Sequence, residues 1–261
     1  MAQYEHLLYE VQDGIARITL NRPERYNAFN NGLSYELIDA LKLVGKDAAV
    51  RVCVITGAGE KAFCSGQDLK DVAGVERSLG DSVRNRYNPI ARLILQTEKV
   101  FIARVNGVAA GAGAGLVMAC DYSIAAENAS FVFAFSNIGL VPDTATSWSL
   151  PRIVGRAKAF ELLALGKTLK APELLELGMV NQVVPATELD SAVQHIATEF
   201  AARAPRSLAL IKRMVRQSFD SPVESMLEQE MFSQEIAGRS EDYKEGVAAF
   251  TEKRKPQFKG R

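Results

Sequence analysis

The chain has 261 residues, with 31 Lys+Arg against 31 Asp+Glu, 48% hydrophobic and 24% charged residues. That much apolar surface can build a core, so disorder as the main state and low-complexity fibres are excluded. The charge balance argues against a general nucleic-acid binder, which presents a strongly basic face.

Ile15 to Leu20 alternates apolar and polar residues and meets Asn21-Arg22-Pro23, which predicts a strand ending in a turn. Asn30 to Val44 carries Leu33, Leu37, Ile38 and Leu41 at helical spacing. Val50 to Gly57 predicts a buried strand. Ala62 to Leu69 reads as a loop entering a helix, Gly74 to Gly80 as a charged mobile stretch, and Ser82 to Gln96 as a helix. A strand is expected over Val100 to Asn106. Val108 to Cys120 follows, 13 residues of mostly small apolar type. A membrane span needs roughly 20, so this predicts a buried helix. Strands are expected at Tyr122 to Ala126, Ser130 to Phe135 and Val180 to Val184. Helices are expected at Arg156 to Leu165, Ala171 to Gly178, Leu189 to Arg216 (with Pro205 opening a new one), Val223 to Ala237 and Asp242 to Arg254. Strands alternate with helices and then stop, an α/β layout with a helical C-terminal part. No internal repeat is visible. Cys53, Cys64 and Cys120 have no metal-ligand spacing and suit a reducing, cytoplasmic setting. The N-terminus shows no basic stretch before an apolar run, so no signal peptide is expected.

Three loops could carry chemistry. Ser65-Gly66-Gln67-Asp68 and Asn106-Gly107 to Gly113 are glycine-bearing turns before helices, where backbone N–H groups can face a negative oxygen. Close helix packing explains the same glycines equally well. Neither is a P-loop, and the Gly111/Gly113 spacing lacks the acidic residue of a dinucleotide fingerprint. In Gly139 to Ser147, Asp143 is a lone carboxylate among apolar and hydroxyl residues. It is either a surface or helix-capping aspartate or, if buried, a proton carrier.

Taken together, Asn21-Arg22-Pro23 with Asn27-Ala28, Phe63 to Leu69, Asn106-Gly107 to Gly113, Cys120-Asp121, Gly139 to Pro142 and Phe250 to Phe258 resemble the crotonase superfamily, the enoyl-CoA hydratase/isomerase fold. The resemblance spans nearly the whole chain. It implies a spiral of ββα units over residues 1–200 that binds acyl-CoA. A C-terminal helical region, 201–261, would assemble the chain as a homotrimer or a dimer of trimers. It implies an oxyanion hole for the thioester oxygen from the N–H groups of Gln67 and Ala112, with alanine where glycine is usual. CoA would lie along Arg25, Tyr26, Ala28 and Ser65, Gly66, Asp68 and Leu69, with Gly111 and Phe135 beside the acyl group. A neighbouring subunit would bring Phe250 and Lys253 to the phosphates. Coenzyme A enters as part of the substrate; no metal, permanently bound cofactor, nucleic acid or membrane is implied.

Within the family the hydratases resemble one another in two glutamates, at the positions of Gly115 and Phe135 here. Both are absent. Asp143 sits where Δ3,Δ2-enoyl-CoA isomerases place their single acid, and one carboxylate beside an enolate-stabilising hole suffices to move a double bond. Tyr87-Asn88-Pro89, Asn106 to Ala114, Ala134-Phe135-Ser136, Gly139 to Asp143, and Gly238-Arg239-Ser240 with Asp242-Tyr243 and Glu245-Gly246-Val247 resemble the isomerases of ring-1,2-epoxyphenylacetyl-CoA, with Thr144-Ala145-Thr146-Ser147 where that group usually shows a Gly-Gly-Thr-like stretch. Asp143 to Ser147 also resembles the 4-chlorobenzoyl-CoA dehalogenases, but Asn88 stands at the position of their histidine base. A catalytically silent acyl-CoA binder is the reading outside enzymes, and Asp143 argues against it. The expectation is an acyl-CoA isomerase with Asp143 as acid/base.

Overall fold

The computed structural model describes residues 4–72 and 78–261. β1 (Leu7–Gln12) and β2 (Ile15–Leu20) precede α1 (Asn31–Lys46). β3 (Val52–Gly57) and β4 (Ala62–Cys64) precede α2 (Leu69–Val72), α3 (Leu79–Ser82), a π-helical turn (Val83–Tyr87) and α4 (Asn88–Gln96). β5 (Val100–Val105) and β6 (Val108–Ala110) precede α5 (Ala112–Ala119). β7 (Tyr122–Ala126) and β8 (Ser130–Val132) precede α6 (Thr146–Val154) and α7 (Arg156–Ala164). β9 (Thr168–Lys170), α8 (Ala171–Glu176) and β10 (Gln182–Val184) follow. The chain closes with α9 (Leu189–Ala201), α10 (Pro205–Gln217), α11 (Val223–Gly238) and α12 (Glu241–Glu252).

From β3 onward each strand pair is split between two sheets. One strand joins the six-stranded order β1-β2-β3-β5-β7-β10, the other the four-stranded order β4-β6-β8-β9. All pairings are parallel except β1 with β2 and β8 with β9. The chain therefore spirals through ββα units, as the resemblance implies. α1 forms because Asn30 caps it, accepting from Leu33 N at 2.7 Å. Its Leu33, Leu37, Leu41 and Val44 make one buried stripe. β3 is buried throughout, matching its unbroken apolar run. The main core includes Phe63, Phe131 and Phe133. A second cluster joins Leu189, Val193 and Ala197 of α9 to Val52, Val54 and Ile102 of the large sheet.

Several expectations are corrected. Val108 to Cys120 is not one helix: Val108–Ala110 pairs with both β4 and β8, and Gly111 (φ +50°) breaks the chain before α5. Ala62–Cys64 is a strand rather than a loop, and the strand from Ser130 stops at Val132. β1 and α6 were not expected; α6 holds Pro151 inside it. Of the stretch Gly74 to Gly80, residues through 77 lie outside the described ones, and Leu79 and Gly80 are helical. α10 buries no side chain and α11 only Ser233, leaving Ile211, Val215, Leu227 and Met231 exposed. The C-terminal tail is tied back: Asp242 accepts from Lys259 N and Gly260 N, and Arg51 donates to Ala201 O and Phe258 O. No helix among the described residues is long and apolar enough to cross a membrane.

Candidate active site

β4, β6 and β8 are adjacent and parallel. Such neighbours lie about 4.8 Å apart, so their carboxyl ends open side by side, where α/β folds place ligands. The loop after β4 carries Gln67, the loop after β6 carries Gly111 and Ala112, and the loops after β8 carry Phe135 and Asp143.

The first two loops touch. Gly66 adopts φ +86°, and a Cβ there would lie 2.8 Å from Ala110 O and 3.6 Å from Ala112 N. A side chain would have to separate them. On either side of Gln67, Phe29 N donates to Gly66 O (2.7 Å) and Asp68 N to Phe29 O (2.9 Å). The Gln67 N–H between them meets no acceptor among the described residues. Neither does that of Ala112, the first residue of α5. Two unpaired N–H groups thus stand at neighbouring loop ends, one of them at the positive end of a helix. The Gln67 side chain is held on both sides. Its Nε2 donates to Phe29 O (2.9 Å), and its Oε1 accepts from Tyr87 Oη (2.5 Å) and Arg86 Nη2 (3.0 Å). Asp68 is spent on bracing the loop, ion-paired with Arg22 at 3.0 Å, while Arg22 Nη1 donates to Ala28 O.

Asp143 is half-buried. Burial pushes its carboxyl above the usual carboxylate range; the Thr144 hydroxyl, the charge of Arg86 and its own backbone N–H pull the other way. Thr144 donates to Asp143 Oδ1 at 2.8 Å. Thr144 (φ +52°) and Ala145 (φ +59°) are both left-handed, an unusual state for residues with a side chain. Each costs on the order of 1–3 kcal/mol, strain typical of functional loops. Thr144→Val keeps the β-branched shape and removes the donor. It is expected to raise the Asp143 pKa further, measured by carboxyl-carbon NMR titration; a downward or absent shift would refute the role given to that hydroxyl.

The expected CoA-contacting residues fall into two groups. Arg25 and Tyr26 are exposed, Ala28 is buried, and Ser65 N donates to Tyr26 O, so this turn and Ser65 to Leu69 form one rim. Leu69 is exposed there. Phe135 packs its ring 3.8 Å from the Cβ position of Gly111. Phe250 and Lys253 are elsewhere: Phe250 is 86% exposed on α12, and no hydrogen bond or ion pair joins either side chain to these loops. Trp148 and Ala145 line a cleft of about 360 Å³ with Asn88, while Phe133 is wholly core. Sequence reasoning missed Arg86 as a site residue. Its signal was its place on the stripe Arg86, Ile90, Ile94, where the two isoleucines are fully buried.

Residues 10–261 match the family model described as enoyl-CoA hydratase/isomerase. The 1,2-epoxyphenylacetyl-CoA isomerase of Escherichia coli K12 is 44% identical, over 98% of this chain and 99% of its own. A probable enoyl-CoA hydratase of Rhodobacter capsulatus is 39% identical, over 99% of each. The crystal structure of an enoyl-CoA hydratase from Bacillus anthracis superposes with a TM-score of 0.93 at 33% identity, covering 98% of this chain and 100% of that one.

Proposed function

Because this chain belongs to the enoyl-CoA hydratase/isomerase family, we propose that it is an acyl-CoA isomerase working with one carboxylate. The observation that carries this reading is Asp143, a half-buried acid whose neighbour Thr144 packs 2.9 Å from the Cβ position of Gly115 on α5, the helix that the unpaired Ala112 N–H opens. Asp143, ionised, takes a proton from the carbon next to the thioester. The electron pair moves into the carbonyl, whose oxygen becomes negative between the N–H groups of Gln67 and Ala112. Collapse of this dienolate places the double bond next to the carbonyl, and Asp143 returns the proton two carbons further along. Atoms and charge balance without a resident cofactor or metal; coenzyme A belongs to the substrate.

The hydratase reading is weaker on steric grounds. At Gly115, where hydratases carry one glutamate, a Cβ would lie 2.6 Å from Thr146 Oγ1 and 2.9 Å from Thr144 Cβ. The space is already filled by the loop that carries Asp143. Gly115→Glu is therefore expected to confer no hydration of 2-enoyl-CoA and to lower stability by about 1–3 kcal/mol through overpacking. Thermal melts and a hydration assay check both; a stable, hydrating variant would refute the steric argument.

The name of the Escherichia coli relative supports an aromatic, ring-oxygenated acyl group, rearranged by the same acid. The exposed apolar faces of α10 and α11 support a homotrimer or dimer of trimers, in which another copy brings Phe250 and Lys253 to the CoA phosphates. Three unpaired thiols support a cytoplasmic setting. The test is turnover of a purified 3-enoyl-CoA, followed by the absorbance of the conjugated product, with hydration of 2-enoyl-CoA in parallel. Isomerisation is expected to dominate; hydration alone would overturn the proposal.

A further inference from the structure

Arg86 is a charge that neither the hole nor the acid requires. It is 2% exposed and ion-paired with no carboxylate among the described residues. Its Nη2 donates to Gln67 Oε1 at 3.0 Å and to Ser82 Oγ, both neutral, and its guanidinium carbon lies 5.2 Å from the centre of the Tyr87 ring. Its Nη1 is buried and meets no acceptor. Burying a guanidinium without a counter-ion is strongly unfavourable, and leaving one of its donors empty adds to that. Holding Gln67 does not account for it, because Tyr87 already donates to the same oxygen and a neutral side chain would serve without desolvating a charge.

Its location is informative. Nη2 touches Gln67, and the guanidinium charge acts on the Asp143 carboxyl. Arg86 thus touches a residue of the proposed hole, and its charge reaches the proposed acid. It also sits in a π-helical turn, an uncommon distortion that recurs at functional sites.

We infer that Arg86 forms an oxygen-binding subsite for the acyl group: Nη1 donates to a carboxylate, carbonyl or hydroxyl oxygen carried beyond the thioester. The acyl-CoA thioesters it prefers then carry an oxygen beyond the thioester, while plain hydrocarbon ones bind less tightly. This rests on the acyl-CoA reading above and names its substrate class.

The test is calorimetric binding of four thioesters that the acid cannot turn over. Hexanoyl-CoA is paired with adipoyl-CoA, which adds a carboxylate. Phenylacetyl-CoA is paired with 2-hydroxyphenylacetyl-CoA, which adds a neutral oxygen. Wild type is expected to bind at least one oxygenated member about tenfold tighter than its hydrocarbon partner, as befits a hydrogen bond to a charged donor. The pair that shows the preference identifies the oxygen. Arg86→Met is expected to bring that ratio close to one, whereas Arg86→Lys retains part of it. Tyr87→Phe removes a bond to the same Gln67 oxygen but leaves Nη1 in place, and is expected to keep the ratio. Ratios near one in the wild type for both pairs, or a preference that survives in a folded Arg86→Met, would overturn the inference alone. No affinity for any of the four would overturn the acyl-CoA reading with it.

Discussion

Asp143→Asn is expected to lower the kcat of isomerisation about 10³-fold, within the range a positioned acid/base contributes. Asparagine keeps the size and the contact with Thr144 but cannot accept the substrate proton. Acyl-CoA affinity, read by calorimetry, should change little, because the thioester oxygen and the CoA moiety are held elsewhere. The pH profile provides a second reading. Burial raises the carboxyl pKa above its ordinary 3.8. The base form is populated above that raised value and lost as pH falls through it. The acid limb of kcat/KM should therefore lie above 3.8, and it should vanish from the residual rate of Asp143→Asn. A variant that keeps a tenth of the wild-type rate would place the base on another residue.

Gly66→Ala is expected to be nearly as damaging although the glycine carries no group that takes part in the proton transfer. Two effects combine there: a φ of +86° and a Cβ that would lie 2.8 Å from Ala110 O. Backbone cannot swing aside as a flexible side chain can, so the loops carrying Gln67 and Ala112 must part. Losing one donor of such a hole costs about 10²–10³ in kcat, and a separated pair loses the geometry of both. Gly178→Ala is the control, with φ +68° and open space around it. It carries the backbone strain without the collision, and should lower the melting temperature while leaving kcat at the wild-type level. Equal kcat losses in the two variants would mean that general destabilisation, not donor spacing, is being measured.

Long apolar runs made the middle of the large sheet legible, though not its edge strand β1: β3 and β5 are six-residue strands whose burial is nearly complete. Of the smaller sheet only β8 was legible, expected from Ser130 to Phe135 and ending at Val132. β4, β6 and β9 have three residues each, too few to show a period, and the sheet's pairings join residues far apart in sequence, such as Ala62 with Val108 and Val108 with Ser130. Yet that sheet aims the candidate site. Local pattern singled out the loops that hold Gln67, Ala112 and Asp143, but the roles expected of these three residues came through resemblance to a family. The left-handed pair Thr144-Ala145 left no trace, since neither residue favours that conformation by itself. Arg86 was readable only as a polar residue in an amphipathic helix. That it sits inside rather than outside depends on Gln67, which meets it from the loop after β4.

The split of each unit between two sheets also bears on biosynthesis. The first proposed donor belongs to the second turn of the spiral, the second donor to the third, and the acid to the fourth. A chain leaving the ribosome N-terminus first can therefore finish β4 and its loop with only half of the hole in existence. Once β6 has docked the hole is whole but still lacks its proton carrier. No nascent fragment short of the fourth turn holds all three groups, so the reactive geometry comes into being late, after most of the core is already closed.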